Sequence, residues 1–201
     1  QREGDKVFNT APVISPTGKV IKRFQKICPF LPFEKGVEAG SDICFFDVPE
    51  VGRFGLYICY DMWFPELSRA MVAEGVEVIL HPTLTDTCDR DVEKAMVRAT
   101  AAQQQSYVVD INGTGALGVG QSMVVGPEGE VIHEALCGEE VILFEADLGR
   151  VRRSRERGIL GLGQPLKSFS DGILTNAEKY ASNQSPYLDS LGPLEVAKRE
   201  R

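Results

Sequence analysis

The sequence has 201 residues, 43% hydrophobic and 25% charged, a composition that indicates one folded globular domain and excludes collagen-like, disordered and coiled-coil chains. Its 22 basic and 29 acidic side chains give a net charge of −7, which argues against nucleic acid or an anionic membrane surface as the partner and favours a small-molecule ligand. The sequence has no apolar run of about 18 residues and no signal-peptide pattern, so we expect a cytoplasmic protein. Its five cysteines are odd in number and lack metal-ligand spacing, so we expect no disulfide framework, metal or cofactor.

The first quarter of the chain predicts a β-hairpin followed by a loop. Residues 9–15 are mostly apolar, a Ser-Pro-Thr-Gly turn follows, and residues 19–27 partly alternate between apolar and polar. Residues 28–43 are rich in proline and glycine, which predicts a loop. Lys26 is therefore expected near the end of a strand, and Glu34 in the loop after it.

The middle of the chain alternates between strand and helix patterns. Strands are predicted over 43–48, 53–59, 76–82 and 107–111, and helices over 65–75 and 89–106. Hairpin strands are predicted again over 122–125, 131–135 and 141–146. This order predicts an α/β fold in which helices cover a mixed sheet.

The last part of the chain changes in composition. The basic stretch 150–157 predicts a solvated helix or a subunit contact, because it is short and lies in an acidic chain. From Leu166 onward Ser, Asn, Pro and Gly predominate, which indicates an arm or tail and not a second core. We therefore predict one domain over 1–165 and a tail over 166–201.

Cys59 is the strongest candidate for a catalytic residue. It ends a predicted strand before a turn into a helix, where N–H groups and the helix dipole favour a thiolate and a nearby oxyanion; a buried structural thiol is the alternative. A Cys/His pair would rest on His81, because His133 lies in a surface-like hairpin. Lys26 and Glu34 offer another arrangement, in which the lysine stabilises negative charge and the glutamate holds it and moves protons, although both residue types are usually solvated.

Several segments carry a family resemblance. The longest are KRFQKICPFLPFE at 22–34 and LYICYDMWFPE at 56–66, with FNTA at 8–11, HPT at 81–83 and GQSMVVGPEGEV at 120–131. In this order they resemble the nitrilase, or carbon–nitrogen hydrolase, superfamily. The resemblance implies an α-β-β-α sandwich, a dimer-based homo-oligomer and a Glu–Lys–Cys triad.

The resemblance also assigns roles to individual residues. Lys26 corresponds to the triad lysine, Cys59 to the nucleophile, and Glu34 to an additional glutamate between them. Four further residues are assigned to the oxyanion or the acyl pocket: the backbone N–H of Tyr60, His81, Thr83 and Trp63. A core role for Trp63 is an equal alternative.

The implied reaction is hydrolysis of a small amide to a carboxylic acid and ammonia through a thioester on Cys59. The residues around the thiol resemble the amidase and carbamoylase branches, so N-carbamoyl compounds and then nitriles are the alternative substrates. In the family the first triad glutamate precedes the FNTA motif; Glu3 has the right chemistry for this role but lacks the expected apolar, proline-containing context. We therefore expect an N-terminal portion missing from this chain or supplied as a separate segment.

The competing hypothesis is an inactive scaffold or binding relative. The helix after Cys59 and the tail are the expected subunit contacts.

Overall fold

A computed structural model describes residues 1–172 and 185–193 of the chain. The strands are β1 (Arg2–Glu3), β2 (Lys6–Val7), β3 (Thr10–Ile14), β4 (Val20–Gln25), β5 (Cys44–Val48), β6 (Gly52–Leu56), β7 (Val78–Thr83), β8 (Tyr107–Asn112), β9 (Met123–Val125) and β10 (Val131–Glu134). The helices are α1 (Pro65–Ala73), α2 (Arg90–Gln104), α3 (Leu148–Arg157), α4 (Pro165–Ser170) and α5 (Pro186–Ser190). Two 3-10 turns span Cys59–Trp63 and Gly115–Leu117.

Six strands form one mixed sheet in the order β10-β9-β8-β7-β6-β5. The pairs β6/β7 and β7/β8 are parallel, and the outer pairs are antiparallel. The parallel strands come from the segments in which strand and helix patterns alternate, as βαβ connections require. The separate hairpin β3–β4 packs against the core next to β5. The predicted α/β fold class is therefore confirmed.

Side chains of the sheet alternate between two packed faces. Ile79 and Val97 belong to the larger core, which joins the sheet to α1 and α2. Val78, the neighbour of Ile79 on β7, belongs with Val151 to a second cluster that joins the sheet to α3. Because successive strand residues point to opposite faces, the helices α1 and α2 lie on one side of the sheet and α3 on the other.

Two predicted strands differ from the structure. The strand predicted over 53–59 ends at Leu56, and Cys59 instead opens a 3-10 turn. Residues 141–146 form no strand, because no neighbouring strand pairs with them among the described residues. Val141, Leu143 and Phe144 in this segment are consequently exposed; Leu143, for example, is 89% exposed.

The end of the chain is partly described. The basic stretch forms α3, whose arginines make ion pairs such as Arg152 with Glu77 at 2.7 Å. The start of the predicted tail forms α4, in which Leu166 packs on the larger core and Phe169 lies 5.3 Å from the guanidinium of Arg69. The rest of that tail, 173–184 and 194–201, lies outside the described residues. None of the helices in the described part combines the length and the hydropathy that crossing a bilayer requires.

Candidate active site

Cys59 lies at a sharp turn between β6 and α1. Its φ angle is +50°, in the left-handed region that residues with a Cβ atom rarely adopt. Backbone of this kind persists where surrounding contacts enforce it and is concentrated at functional sites. The side chain of Cys59 is half-buried, so the sulfur is not sealed in the core.

A buried carboxylate links the Cys59 turn to the end of β4. The two oxygens of Asp61 accept hydrogen bonds from the backbone N–H of Cys28 at 2.7 Å and of Ile58 at 3.0 Å. Asp61 is fully buried, and this burial raises the pKa of its carboxyl group even though the backbone hydrogen bonds oppose the shift. The carboxylate therefore fixes the segment that follows Lys26 against the segment that precedes Cys59.

Lys26 and Glu34 form an ion pair beside this turn. The Lys26 ammonium lies 2.5 Å from Oε2 of Glu34, and Lys26 is only 1% exposed. Glu34 also accepts hydrogen bonds from Asn9 Nδ2 at 2.6 Å and from the Phe30 N–H at 2.5 Å. Burial acts to raise the pKa of Glu34, but the hydrogen bonds from Lys26, Phe30 and Asn9 outweigh burial and hold it below its ordinary value.

This pair predicts how stability depends on pH. A carboxyl group whose folded pKa is lowered contributes stability above its ordinary value, here 4.5, and loses it as the pH falls through the folded value. We expect Glu34→Gln to be less stable than the wild type at pH 7, and the difference to shrink at lower pH. Urea unfolding from pH 7 down to below pH 4.5 measures this difference in the free energy of unfolding. Glu38→Gln, at an exposed position, is the control and should leave the curve unchanged; a difference for Glu34→Gln that grows on acidification would contradict the sign.

Two adjoining cavities meet at Cys59. The larger one, about 580 Å³, is lined by Lys26, Glu34, Cys59 and Thr83, together with aromatic and apolar side chains. The smaller one, about 230 Å³, is lined by Cys59, Tyr60 and Trp63 among others. The structure thus brings six of the seven residues singled out from the sequence to one region. In residues 1–172 and 185–193, no group of three or more His, Cys, Asp or Glu side chains is placed to hold a metal ion.

His81 is the exception. His81 was expected to line the acyl pocket. In the structure it is fully buried and lines neither cavity. It follows Ile79 by two positions on β7, so it points to the face that α2 covers. Its Nε2 lies 3.0 Å from the carbonyl oxygen of Cys59 and its Nδ1 lies 2.7 Å from Asp110. The ring therefore contacts the backbone of Cys59, which leaves no ring nitrogen free to act as the base of a Cys/His pair.

Several residues that build this region were not among the candidates predicted from the sequence. Asn9 and Asp61 both lie inside the motifs that carried the resemblance, so their positions beside Lys26 and Cys59 were open to prediction. Asp110 and Arg90 extend the buried contacts of His81. Neither lies in a motif that would have indicated its position. Polar residues on a strand and at a helix start are common, and only the folded chain shows that these two meet.

Comparison with known proteins agrees with this architecture. Residues 1–156 match the sequence model of a family described as carbon-nitrogen hydrolase. The chain is 30% identical over 158 residues to omega-amidase NIT3 of Saccharomyces cerevisiae. The aligned region covers 71% of this chain and 54% of the relative. It superimposes on the crystal structure of Saccharomyces cerevisiae Nit3, a member of branch 10 of the nitrilase superfamily, with a TM-score of 0.70 and 29% identity over 76% of this chain and 58% of the other. The predicted nitrilase-like α/β sandwich is thereby confirmed.

A second solved structure bears on the chemistry of such sites. It is a variant of the amidase from Nesterenkonia sp. AN1, described as showing covalent addition of the acetamide moiety of fluoroacetamide at the active-site cysteine. The TM-score is 0.58 and the identity 28%, covering 64% of this chain and 51% of the amidase. The chain spans a little over half the length of the relatives compared.

Proposed function

Because the chain belongs to the carbon–nitrogen hydrolase family, we propose that it hydrolyses a small amide to a carboxylic acid and ammonia, with Cys59 as the nucleophile. The observation that carries this proposal is the cavity of about 580 Å³ at which Lys26, Glu34 and Cys59 meet. A half-buried thiol and a buried ammonium that line one cavity can supply the nucleophile and the oxyanion-stabilising cation of an acyl transfer. The names of the relatives, omega-amidase and amidase, support an amide as the substrate class.

The reaction proceeds in two steps. The sulfur of Cys59 attacks the amide carbon, and the carbonyl oxygen takes up negative charge that the Lys26 ammonium and the Tyr60 N–H stabilise. Collapse of this intermediate breaks the carbon–nitrogen bond, releases ammonia and leaves an acyl thioester on Cys59. Water then attacks the thioester, which gives the carboxylic acid and restores the thiol. Each step has a lower barrier than direct hydrolysis of the amide.

Glu34 holds Lys26 in place in this scheme. Three donors already occupy its carboxylate, so we propose that a separate carboxylate accepts the thiol proton and returns it to the leaving ammonia. The resemblance places such a glutamate ahead of the FNTA motif in the family. Activity should accordingly be measured on the full-length product of the reading frame, whose mass is verified first.

Aromatic side chains line the smaller cavity of the site. The ring of Tyr60 lies 4.9 Å from that of Phe30 and 5.9 Å from that of Trp63, measured between centroids, and all three rings line the smaller cavity. Thr83 provides a hydroxyl group on the wall of the larger cavity. Because the residues around the thiol resemble the amidase and carbamoylase branches, small amides are proposed first, N-carbamoyl compounds second and nitriles third.

The experiment offers the full-length protein these three classes of compound and measures ammonia release. We expect release from a small amide such as propionamide, and formation of a hydroxamate when hydroxylamine is added, because hydroxylamine intercepts a thioester. Peptide mass spectrometry should then locate the acyl group on Cys59. If no class is hydrolysed and Cys59 is never acylated, the competing hypothesis of an inactive scaffold replaces this proposal.

A further inference from the structure

A chain of buried titratable groups contacts the Cys59 turn through His81. His81 contacts Asp110 at 2.7 Å, Asp110 also pairs with Arg90, and Arg90 contacts Glu93 at 3.1 Å. His81 and Asp110 are fully buried, and Arg90 and Glu93 are each 3% exposed. Buried charges are costly unless they are paired, so a network of this length needs a reason beyond stability.

The hydrogen-bond partners of His81 determine its protonation. The Cys59 carbonyl oxygen can only accept a hydrogen bond. Asp110 is also an acceptor: burial acts to raise its pKa, but His81 and Arg90 outweigh burial and lower it, so the carboxylate is ionised. A neutral imidazole has one N–H and can satisfy only one of the two acceptors. Both contacts are satisfied together when His81 is an imidazolium.

Charge balance is consistent with this state. An imidazolium at His81 and the guanidinium of Arg90 face the carboxylates of Asp110 and Glu93, so the buried network carries no net charge. The ring of His81 also packs edge-on against Tyr57, at 5.0 Å between centroids. Burial raises the pKa of Tyr57, so its hydroxyl stays neutral.

The contact with Cys59 also sets the direction of the next N–H group. The Cys59 carbonyl and the Tyr60 N–H belong to one trans peptide, in which they point in opposite directions. His81 lies on the buried side of this peptide, whereas Cys59 and Tyr60 line the smaller cavity. A cationic donor on the carbonyl polarises the peptide and makes its N–H a stronger donor.

We propose that His81 is a positioning residue that, as a buried imidazolium, holds and polarises the Cys59–Tyr60 peptide so that the Tyr60 N–H stabilises the oxyanion. This inference rests on the proposed function, since it needs an acyl transfer at Cys59. The network of Asp110, Arg90 and Glu93 keeps the ring charged and fixed. The strained φ angle of Cys59 is held by the same hydrogen bond.

The test compares two reactions of the same sulfur. Acylation by p-nitrophenyl acetate passes through an oxyanion, whereas alkylation by iodoacetamide displaces iodide and forms none. Glutamine at position 81 keeps an amide donor but no charge, so for His81→Gln we expect acylation of Cys59 to slow by about 10- to 100-fold. Alkylation of Cys59 should change by no more than about twofold, because thiol access and the turn are retained. His133→Gln, which changes the other histidine of the chain, is the control and should alter neither rate.

The outcomes separate the two proposals. Equal losses of acylation and alkylation in His81→Gln would reduce His81 to a structural role and overturn the inference. An unchanged acylation rate would overturn it as well. A wild-type protein that is alkylated but never acylated at Cys59 would instead overturn the proposed function, and with it the oxyanion role of His81.

A second measurement needs no variant of His81. The chain has two histidines, so ¹⁵N NMR of histidine-labelled protein gives two ring spectra, and His133→Gln identifies the one from His81. We expect protons on both ring nitrogens of His81 at pH 8, because each nitrogen lies against a hydrogen-bond acceptor. An unprotonated ring nitrogen at pH 8 would refute the imidazolium.

Discussion

Replacing Cys59 with alanine is expected to abolish acyl transfer, with a loss of at least about 10⁴-fold in rate, because it removes the sulfur on which the proposed thioester forms. The fold should survive, since the side chain of Cys59 is half-buried and alanine fits in its place. Single-turnover release of p-nitrophenolate, together with intact mass, measures the acylated fraction. Cys88→Ala, at an exposed cysteine, is the matched control and should react like the wild type.

Cys28 is the other thiol beside Lys26, and it tests the assignment further. Burial and the nearby Asp61 raise the pKa of Cys28 to about 12, so its thiolate is rare at neutral pH. We therefore expect no acyl group on Cys28 even in Cys59→Ala. Acylation that persists in this variant and maps to Cys28 would show that the nucleophile has been misassigned.

Replacing Lys26 with methionine is expected to slow acylation of Cys59 by about 10²- to 10³-fold, the usual loss when one oxyanion donor is removed. Methionine keeps the length of the side chain and removes the positive charge. Glu34 is then left with hydrogen bonds from Asn9 and Phe30 but without its cation, so the variant is also expected to lose stability. Acylation rate and urea unfolding are measured on the same preparation.

The double variant Lys26→Met with Glu34→Gln separates these two effects. It removes the unpaired carboxylate, so we expect it to recover stability relative to Lys26→Met. Its acylation rate should stay low, because the ammonium is still absent. Recovery of acylation together with stability would mean that Lys26 acts only by supporting the fold.

The parts of this site that depend on local sequence pattern could be predicted. The turn after β6, the position of Lys26 at the end of β4 and that of Glu34 in the next loop follow from apolar runs, prolines and glycines, helped by motifs that include these residues. The family resemblance supplied what local pattern lacks, namely the expectation that Lys26, Glu34 and Cys59 meet.

Contacts between residues far apart in the sequence could not be predicted from local pattern. His81 and Asp110 are 29 residues apart, and Cys28 and Asp61 are 33 residues apart. Which face of β7 carries His81 depends on the register of three strands, and a shift of one residue would have turned it to the other face. The strand prediction for 141–146 was wrong for a related reason, since an apolar pattern forms a strand only where a partner strand is available.

The carboxylate of Asp61 has a consequence for the entropy of the reaction. Because it accepts hydrogen bonds from both Cys28 and Ile58, it links the backbone that carries the ammonium to the backbone that carries the sulfur. In the proposed reaction the ammonium and the sulfur are thus already placed before the substrate binds, and little binding energy is needed to bring them together. Asp61 would contribute to this preorganisation although it lines neither cavity.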